Sequence, residues 1–179
     1  LKLNYPQIPI ILDAKRADIG NTARMYAKSA FEYWNADAVT VYPHLGLDSL
    51  ISFLNYKDKL TILLIKTSNP HSSMFQNLMV GKDPYYLKIA KIIKNWKYPN
   101  IGIFVGATYP KELADLRKLF PNSIFLSAGL GAQNAEIKKA VKAGINKEKS
   151  GIMFSASRSI LYAKDPRKEA KKIGEEISK

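Results

Sequence analysis

The stretch Ile8-Pro9-Ile10-Ile11-Leu12-Asp13-Ala14-Lys15-Arg16-Ala17-Asp18 is an apolar run that ends in a cluster of charges. Residues 8–13 are short, apolar and rich in isoleucine, which predicts a buried strand. Because side chains alternate along a strand, Asp13 and Lys15 point the same way, with Asp18 just past the strand end. Two carboxylates and an ammonium at this place are costly to bury without a purpose, and they predict an ordered charge network that can move a proton.

Further apolar runs follow, and amphipathic segments lie between them. The predicted strands are residues 8–13, 38–42, 60–66, 101–107, 124–127 and 151–155. The predicted helices are residues 22–34, 48–54, 85–95, 110–120, 135–143 and 165–178. Strands separated by helices of this length indicate βαβ units with right-handed crossovers in a parallel sheet.

Polar candidates gather where the predicted strands end. Asp13 and Lys15 end the first strand, Ser68 follows the third, Gln133 follows the fifth, and Arg158 follows the sixth. This one-sided placement is typical of a (β/α)8 TIM barrel, in which chemistry lies at the C-terminal ends of the strands. An open doubly wound sheet is the competing fold.

Six βα units are recognisable, whereas a TIM barrel has eight and typically takes about 250 residues. We therefore interpret residues 1–179 as a single domain that comprises βα units three to eight of such a barrel and lacks the first two. No internal repeat, low-complexity tract or linker indicates a second domain.

Composition narrows the functional classes. The apolar content of 46% argues against disorder, and no run of about 18 apolar residues predicts a membrane span. With no cysteine there is no disulfide framework and no thiolate chemistry, which agrees with a cytoplasmic location. The net charge of +13 suits an anionic partner, but the lysines are scattered over predicted helices. A solvated, lysine-rich surface is the simplest interpretation of this charge. Of the possible anionic ligands we expect a phosphorylated small molecule, and neither nucleic acid nor membrane as partner.

The loops after the last two predicted strands favour a phosphate site, since barrels of this type often hold phosphate there. Residues 127–134 read Ser-Ala-Gly-Leu-Gly-Ala-Gln-Asn, and residues 155–160 read Ser-Ala-Ser-Arg-Ser-Ile. Glycines let backbone N–H groups approach an anion, and Arg158 offers a fork of donors. The alternatives are a flexible surface turn, and an arginine that caps a helix or pairs with a carboxylate.

Several of these motifs resemble one enzyme family. Residues 12–22, Leu-Asp-Ala-Lys-Arg-Ala-Asp-Ile-Gly-Asn-Thr, resemble the signature of the orotidine 5′-phosphate decarboxylases, most of all that of their second subfamily. Residues 128–133 resemble the mobile phosphate-gripping loop of that family, and residues 157–160 resemble its phosphate arginine motif. The pattern Asp-x-Lys-x-x-Asp alone belongs to a wider superfamily, whereas its extension through Gly-Asn-Thr is more selective.

The resemblance implies decarboxylation of orotidine 5′-monophosphate to UMP in de novo pyrimidine biosynthesis, without metal or organic cofactor. Asp13, Lys15 and Asp18 match the last three members of the family's Lys-Asp-Lys-Asp tetrad, and Lys15 is the residue expected to protonate C6. The first lysine of the tetrad and the family's ribose-binding aspartate have no counterpart here, as expected if the first two βα units are absent.

The same resemblance implies the binding residues and the partner. Ser68 is expected to bind the pyrimidine, Gln133 both phosphate and pyrimidine, and Arg158 the phosphate. In the family the active sites are shared across a homodimer, and by position Asp18 and Thr22 reach into the neighbouring site. Ser68 is also an ordinary turn residue before a proline, and Thr22 also suits a helix N-cap.

Two other functions stay open at this stage. The nearest is a Mg²⁺-dependent sugar-phosphate decarboxylase or aldolase-type lyase of the same superfamily, which shares Asp-x-Lys-x-x-Asp. The other is a basic nucleic-acid-binding module with a decayed site. His44 and His71 lack metal-ligand spacing, while Arg16 and Lys66 suit structural ion pairs as well as catalysis. The aromatic residues at helical spacing, Phe31, Tyr33 and Trp34, are predicted to pack in the core.

Overall fold

The computed structural model of the protein describes residues 2–129 and 134–178. Its strands, in chain order, are β1 (Ile11–Arg16), β2 (Ala38–Val41), β3 (Leu60–Lys66), β4 (Met79–Val80), β5 (Asp83–Pro84), β6 (Ile101–Gly106), β7 (Phe125–Ala128) and β8 (Ile152–Ser155). Strands β4 and β5 form an antiparallel hairpin, and the other six form one parallel sheet.

The six parallel strands lie side by side in chain order, β1-β2-β3-β6-β7-β8. A doubly wound sheet reverses its order at a switch point, so this order contradicts that alternative. The sheet is a curled half-barrel, because residues of its two outermost strands, β1 and β8, line the same cavity. The barrel-type parallel α/β fold is therefore confirmed to the extent of six strands, and the assignment to βα units three to eight stays a prediction.

Helices connect the strands. They are α1 (Gly20–Lys28), α2 (Leu47–Leu54), α3 (Ser73–Gln76), α4 (Tyr85–Lys94), α5 (Pro110–Leu119), α6 (Asn134–Gly144), α7 (Arg158–Leu161) and α8 (Pro166–Ile177). Helix α1 continues into a π-helical turn, Ser29–Tyr33, and a 3₁₀ turn, Pro70–Ser72, precedes α3. The short elements α3, α7, β4 and β5 were not predicted, because two to four residues carry no periodicity. Across residues 2–129 and 134–178, no helix is both long and apolar enough to cross a membrane.

Two predicted boundaries near the start of the chain are wrong. The first strand begins at Ile11 and continues to Arg16, where residues 8–13 were predicted. Pro9 has no N–H to donate to a sheet, which favours the later start. The first helix begins at Gly20 with Ile19 as its N-cap. Thr22 is thus the third residue of the helix, and its predicted N-cap alternative is wrong.

The sheet separates two apolar layers, because successive strand residues face opposite sides. In β3, Leu63 and Ile65 pack into the larger core between the sheet and the helices. Their neighbours Ile62 and Leu64 belong to a smaller cluster on the inner face of the half-barrel, together with Phe104. The polar site residues described below lie at the C-terminal end of this inner face.

The aromatic residues that end the α1 region divide between core and surface. Phe31 is buried and packs against Phe53 and Tyr56. Tyr33 and Trp34 are 78% and 60% exposed, so the prediction that they pack in the core is wrong. The change from α-helical to π-helical winding at Ser29 shifts the side-chain period, which a 3.6-residue pattern does not anticipate.

A buried arginine holds the N-terminal ends of the last two strands. The Arg117 guanidinium donates at 2.7 Å each to the carbonyls of Ser123, two residues before β7, and Gly151, directly before β8. It also donates at 2.7 Å to Gly144 at the end of α6, and it stacks 3.8 Å from the ring centroid of Phe125. One side chain therefore connects α5, α6, β7 and β8 at the N-terminal end of the sheet, opposite the end where Asp13 and Lys15 lie.

Candidate active site

The end of β1 is irregular where its charged residues lie. Leu12 pairs with Val39 and Arg16 with Val41, so β1 has two more residues than β2 between these pairs. The extra length forms a bulge, and within it Lys15 adopts a left-handed backbone conformation with φ of 47°. This conformation is unfavourable for residues other than glycine and has to be held by surrounding contacts.

The bulge brings two predicted catalytic groups together. The Lys15 Nζ lies 2.5 Å from Oδ2 of Asp13, so the two side chains face the same way as the strand pattern predicts. The side chains remain 45% and 58% exposed, which leaves the pair accessible to a ligand. An ammonium held against a carboxylate at the mouth of a strand can donate a proton to a bound molecule, and the carboxylate keeps that ammonium oriented.

A third group, which the sequence analysis missed, completes this cluster. Thr40 lies in β2 with no exposed surface, and its hydroxyl donates to Oδ1 of Asp13 at 2.8 Å. The same hydroxyl accepts the backbone N–H of Lys15 at 2.9 Å. The sequence did contain one signal for Thr40, because it is the polar residue of an otherwise apolar strand. No local pattern, however, indicates its contact with Asp13, which is 27 positions away in the chain.

Ser68 lies at the C-terminal end of the sheet, beside Gly129, where the predicted phosphate loop after β7 begins. Its Cα comes so close to Gly106 that a Cβ there would lie only 2.7 Å away, so only glycine fits at the end of β6. A Cβ on Gly129, which has φ of +88°, would lie 3.1 Å from the Ser68 Cβ and 3.4 Å from its Oγ. Two glycines thus allow Ser68 to reach the beginning of the predicted phosphate loop.

The loop that carries Ser68 is fixed on both sides. The Gln76 side chain accepts the backbone N–H of Thr67 at 3.0 Å and donates to the Thr67 hydroxyl at 2.9 Å. The Lys66 Nζ donates to Ser72 at 3.1 Å and lies 4.4 Å from the ring centroid of Tyr109. These hydrogen bonds hold the chain before Ser68, at Lys66 and Thr67, and after it, at Ser72 and Gln76.

Lys66 and Arg16 were predicted to serve either catalysis or structural ion pairs. In the structure each cation lies over an aromatic ring. Among the residues that the structure describes, neither has a carboxylate within 4 Å. Burial lowers the pKa of the fully buried Lys66, and the more distant charge of Glu112 partly opposes that shift. The Arg16 guanidinium stacks over Tyr26 with 4.4 Å to its centroid. The ion-pair alternative is therefore wrong for the described part of the chain.

One cavity connects β1 with the strands that precede the predicted phosphate loops. It has a volume of about 550 Å³, and Asp13 of β1 contributes to its lining. Ala128 at the end of β7 and Ser155 and Ala156 at the end of β8 line it too. Since β7 and β8 are paired through Ala128 and Ser155, the segments leading to Gly129 and Arg158 leave the sheet side by side.

Among the described residues, the other predicted site residues make no hydrogen bond or ion pair with Asp13 or Lys15. The half-buried Asp18 accepts the N–H of Ile19 at 2.9 Å, and within the described ranges its carboxylate makes no ion pair with Lys15. Thr22 is exposed on α1, and Arg158 is exposed at the start of α7. The two structural alternatives for Arg158 are therefore wrong for the described part of the chain. The N-cap of α7 is Ser157, and no carboxylate of the described residues pairs with Arg158. Gln133 lies outside the described residues.

His44 and His71 lie in a stack of aromatic rings and in an exposed turn, respectively. His44 stacks between Tyr42 and Tyr85, with ring centroids 5.6 and 5.8 Å apart. Burial lowers the pKa of His44. His71 is exposed in the 3₁₀ turn. In the part of the chain that the structure covers, no three His, Cys, Asp or Glu side chains are grouped so that they could hold a metal ion.

Comparison with known proteins identifies the family. The sequence profile of the orotidine 5′-phosphate decarboxylase / HUMPS family matches residues 1–173. The chain belongs to this family. The orotidine 5′-phosphate decarboxylase of Cellvibrio japonicus is 46% identical over 165 residues, or 91% of this chain and 60% of that protein. Its counterpart from Bordetella avium is 47% identical over 163 residues, or 89% of this chain and 60% of that protein.

Solved structures of family members have the same fold. The OMP decarboxylase of Leishmania donovani matches with a TM-score of 0.88 at 42% identity, over 96% of this chain and 68% of that one. The orotidine 5′-monophosphate decarboxylase of Methanocaldococcus jannaschii, solved with the inhibitor BMP, matches with a TM-score of 0.79 at 25% identity, over 96% and 74%. The chain thus spans about 60% of the length of its curated relatives and up to three quarters of these two structures.

Proposed function

We propose that the protein decarboxylates orotidine 5′-monophosphate to UMP, as the family's decarboxylases do, without a metal or organic cofactor. The observation that carries the proposal is the Asp13–Lys15 ion pair, because Asp13 lines a cavity together with Ala128 and Ser155, which precede the predicted phosphate loops. The proposal includes the cytoplasmic location expected of a chain without cysteine.

The chemistry follows from the charges at the end of β1. Breaking the bond between C6 and the carboxylate releases CO₂ and leaves an electron pair on C6 of the pyrimidine. The Lys15 ammonium stabilises that pair and transfers its proton to C6, after which the neutral amine takes a proton from water. We assign Asp13 to the side of the departing carboxylate, where loss of CO₂ relieves like-charge repulsion. Stabilisation of the transition state by the same preorganised charges is the alternative account.

Binding is assigned to the residues around the cavity. Ser68 contacts the pyrimidine, while Arg158 and the loop that contains Gln133 bind the phosphate. Binding energy from the phosphate, at the non-reacting end of the substrate, thereby supports the reaction at the ring.

A spectrophotometric assay in EDTA separates this function from the Mg²⁺-dependent lyases of the superfamily. The purified protein should convert orotidine 5′-monophosphate to UMP at an undiminished rate after dialysis against EDTA. It should also bind BMP, the inhibitor found in the Methanocaldococcus jannaschii structure. A rate that disappears in EDTA and returns with Mg²⁺ would support the lyase alternative.

Arg158→Ala should weaken UMP binding by about 1.5–3 kcal/mol, roughly 10- to 150-fold, and leave uridine binding nearly unchanged. The reason is that the guanidinium makes a charge-assisted contact with the phosphate, which uridine lacks. Isothermal titration with both ligands measures the difference. Arg167→Ala, which removes an exposed arginine from the first turn of α8, is the matched control. Equal weakening of both ligands would place Arg158 away from the phosphate.

We further propose a homodimer in which Asp18 and Thr22 complete the partner's site. In the described part of the chain, neither is bonded to Asp13 or Lys15: Asp18 lies just beyond β1 and accepts the N–H of Ile19, and Thr22 is exposed on α1. A side chain on such a surface is available to a second copy, and a twofold dimer uses the same surface twice.

Mixing Asp18→Ala with Lys15→Ala tests the shared site. Each variant alone should be nearly inactive, because both of its sites lack one residue. After subunit exchange, a heterodimer has one site with both residues and one with neither. Activity should therefore rise to about half of the wild-type rate per heterodimer. Native mass spectrometry verifies the exchange. If heterodimers form and activity stays at the level of the parents, Asp18 acts within its own subunit.

A further inference from the structure

We infer that Thr40 is a positioning residue for the proposed decarboxylation: its buried hydroxyl holds Lys15 in its strained backbone conformation and orients the Asp13 carboxylate toward the Lys15 ammonium. The inference rests on the proposed function. It concerns a residue on the neighbouring strand that is buried and does not itself line the cavity.

The direction of each hydrogen bond is fixed by chemistry. The backbone N–H of Lys15 can only donate, so the Thr40 oxygen accepts it at 2.9 Å. The hydroxyl hydrogen is then free for the ionised Asp13, which can only accept, through Oδ1 at 2.8 Å. The other Asp13 oxygen accepts from the Lys15 Nζ at 2.5 Å. The contacts form a closed ring that starts at the Lys15 backbone and returns to the Lys15 side chain.

The ring explains why the bulge of β1 is stable. The backbone N–H of Lys15 lies where the β1–β2 pairing is interrupted, between the Leu12 and Arg16 pairs. Thr40 Oγ1 gives that N–H the partner that an uninterrupted ladder would supply. A left-handed backbone conformation is unfavourable for lysine, so contacts of its surroundings have to hold Lys15 in it. Removing the hydroxyl leaves a donor and a carboxylate oxygen without partners, and the strained conformation without support.

Strand β3 provides a matched control. Thr61 is as completely buried as Thr40 and lies in the strand that pairs with β2. Within the described part of the chain, its hydroxyl has no hydrogen-bond partner. Replacing either threonine with valine therefore removes the same atom from a similar environment, but only at Thr40 is a hydrogen-bonded ring lost.

Steady-state kinetics of Thr40→Val, Thr40→Ser and Thr61→Val provide the test. We expect Thr40→Val to lower kcat roughly 10²-fold with little change in KM, because a displaced catalytic group affects the reaction more than the binding of substrate. Thr40→Ser keeps the hydroxyl and should restore most of the rate, and Thr61→Val should equal the wild type. If Thr40→Val keeps more than about half of the wild-type kcat, or Thr61→Val loses as much, the inference is overturned.

A crystal structure of Thr40→Val separates this inference from the proposed function. The Lys15 φ should leave the left-handed region, and the Nζ to Oδ2 contact of 2.5 Å should lengthen or break. An unchanged Lys15 would overturn the positioning role even where the wild type is an active decarboxylase. Conversely, a wild type that does not decarboxylate orotidine 5′-monophosphate refutes the proposed function, while the conformation of Lys15 still reports whether Thr40 holds it.

Discussion

Lys15→Ala should abolish decarboxylation while leaving UMP binding largely intact. The variant removes the proton donor and also leaves the Asp13 carboxylate without its cation, since the two groups are 2.5 Å apart. The loss should therefore exceed the 10²- to 10⁴-fold that is common for one general acid. Single-turnover kinetics measure the chemical step, and titration with UMP measures binding. The phosphate and pyrimidine contacts are assigned elsewhere, to Arg158 and Ser68, so binding should persist.

Lys91→Ala is the matched control for this variant. Lys91 is also an ion-paired lysine of similar exposure, 49% against 45%, and its Nζ lies 2.7 Å from Asp83. It belongs to α4 and is not part of the proposed machinery, so its removal should leave the rate unchanged. Retention of more than about a tenth of the wild-type rate in Lys15→Ala would contradict the role of this lysine as the acid.

Arg117→Met should lower the free energy of unfolding by about 3–5 kcal/mol without touching the site. The guanidinium is 7% exposed and donates to five backbone carbonyls, so an apolar replacement leaves several of them buried and unpaired. No carboxylate lies within 4 Å of Arg117 in the described residues, and burial lowers its pKa. Urea unfolding measures the change, and the melting temperature should fall roughly 6–20 °C.

Two further variants make this stability effect specific. Arg117→Lys keeps the charge, but one ammonium cannot reach carbonyls on three sides of a planar fork, so it should recover only part of the loss. Lys118→Met changes the next residue of α5, whose side chain is 78% exposed, and should stay within about 0.5 kcal/mol of the wild type. An Arg117→Met protein that unfolds within about 1 kcal/mol of the wild type would show that water replaces the guanidinium at little cost.

The sequence predicted those features that depend on neighbouring residues. The apolar run before Asp13 and the two-residue spacing to Lys15 are local, and together they predicted a strand with both charges on one side. The predicted third strand, residues 60–66, agrees with β3 residue for residue, because it is a continuous apolar run. The first strand was less accurate, since periodicity does not report the bulge that extends it to Arg16.

The alternation of strands and helices and the charged pair at the end of the first strand follow from the order of residues alone, because both arise from interactions between residues close in the chain. The contact of Thr40 with Asp13, the approach of Ser68 to Gly106 and Gly129, and the cavity shared by β1 and β8 arise instead from the folded arrangement. These contacts depend on the register and curl of the sheet. Both are set by packing over the whole domain, and no local pattern of residues contains them.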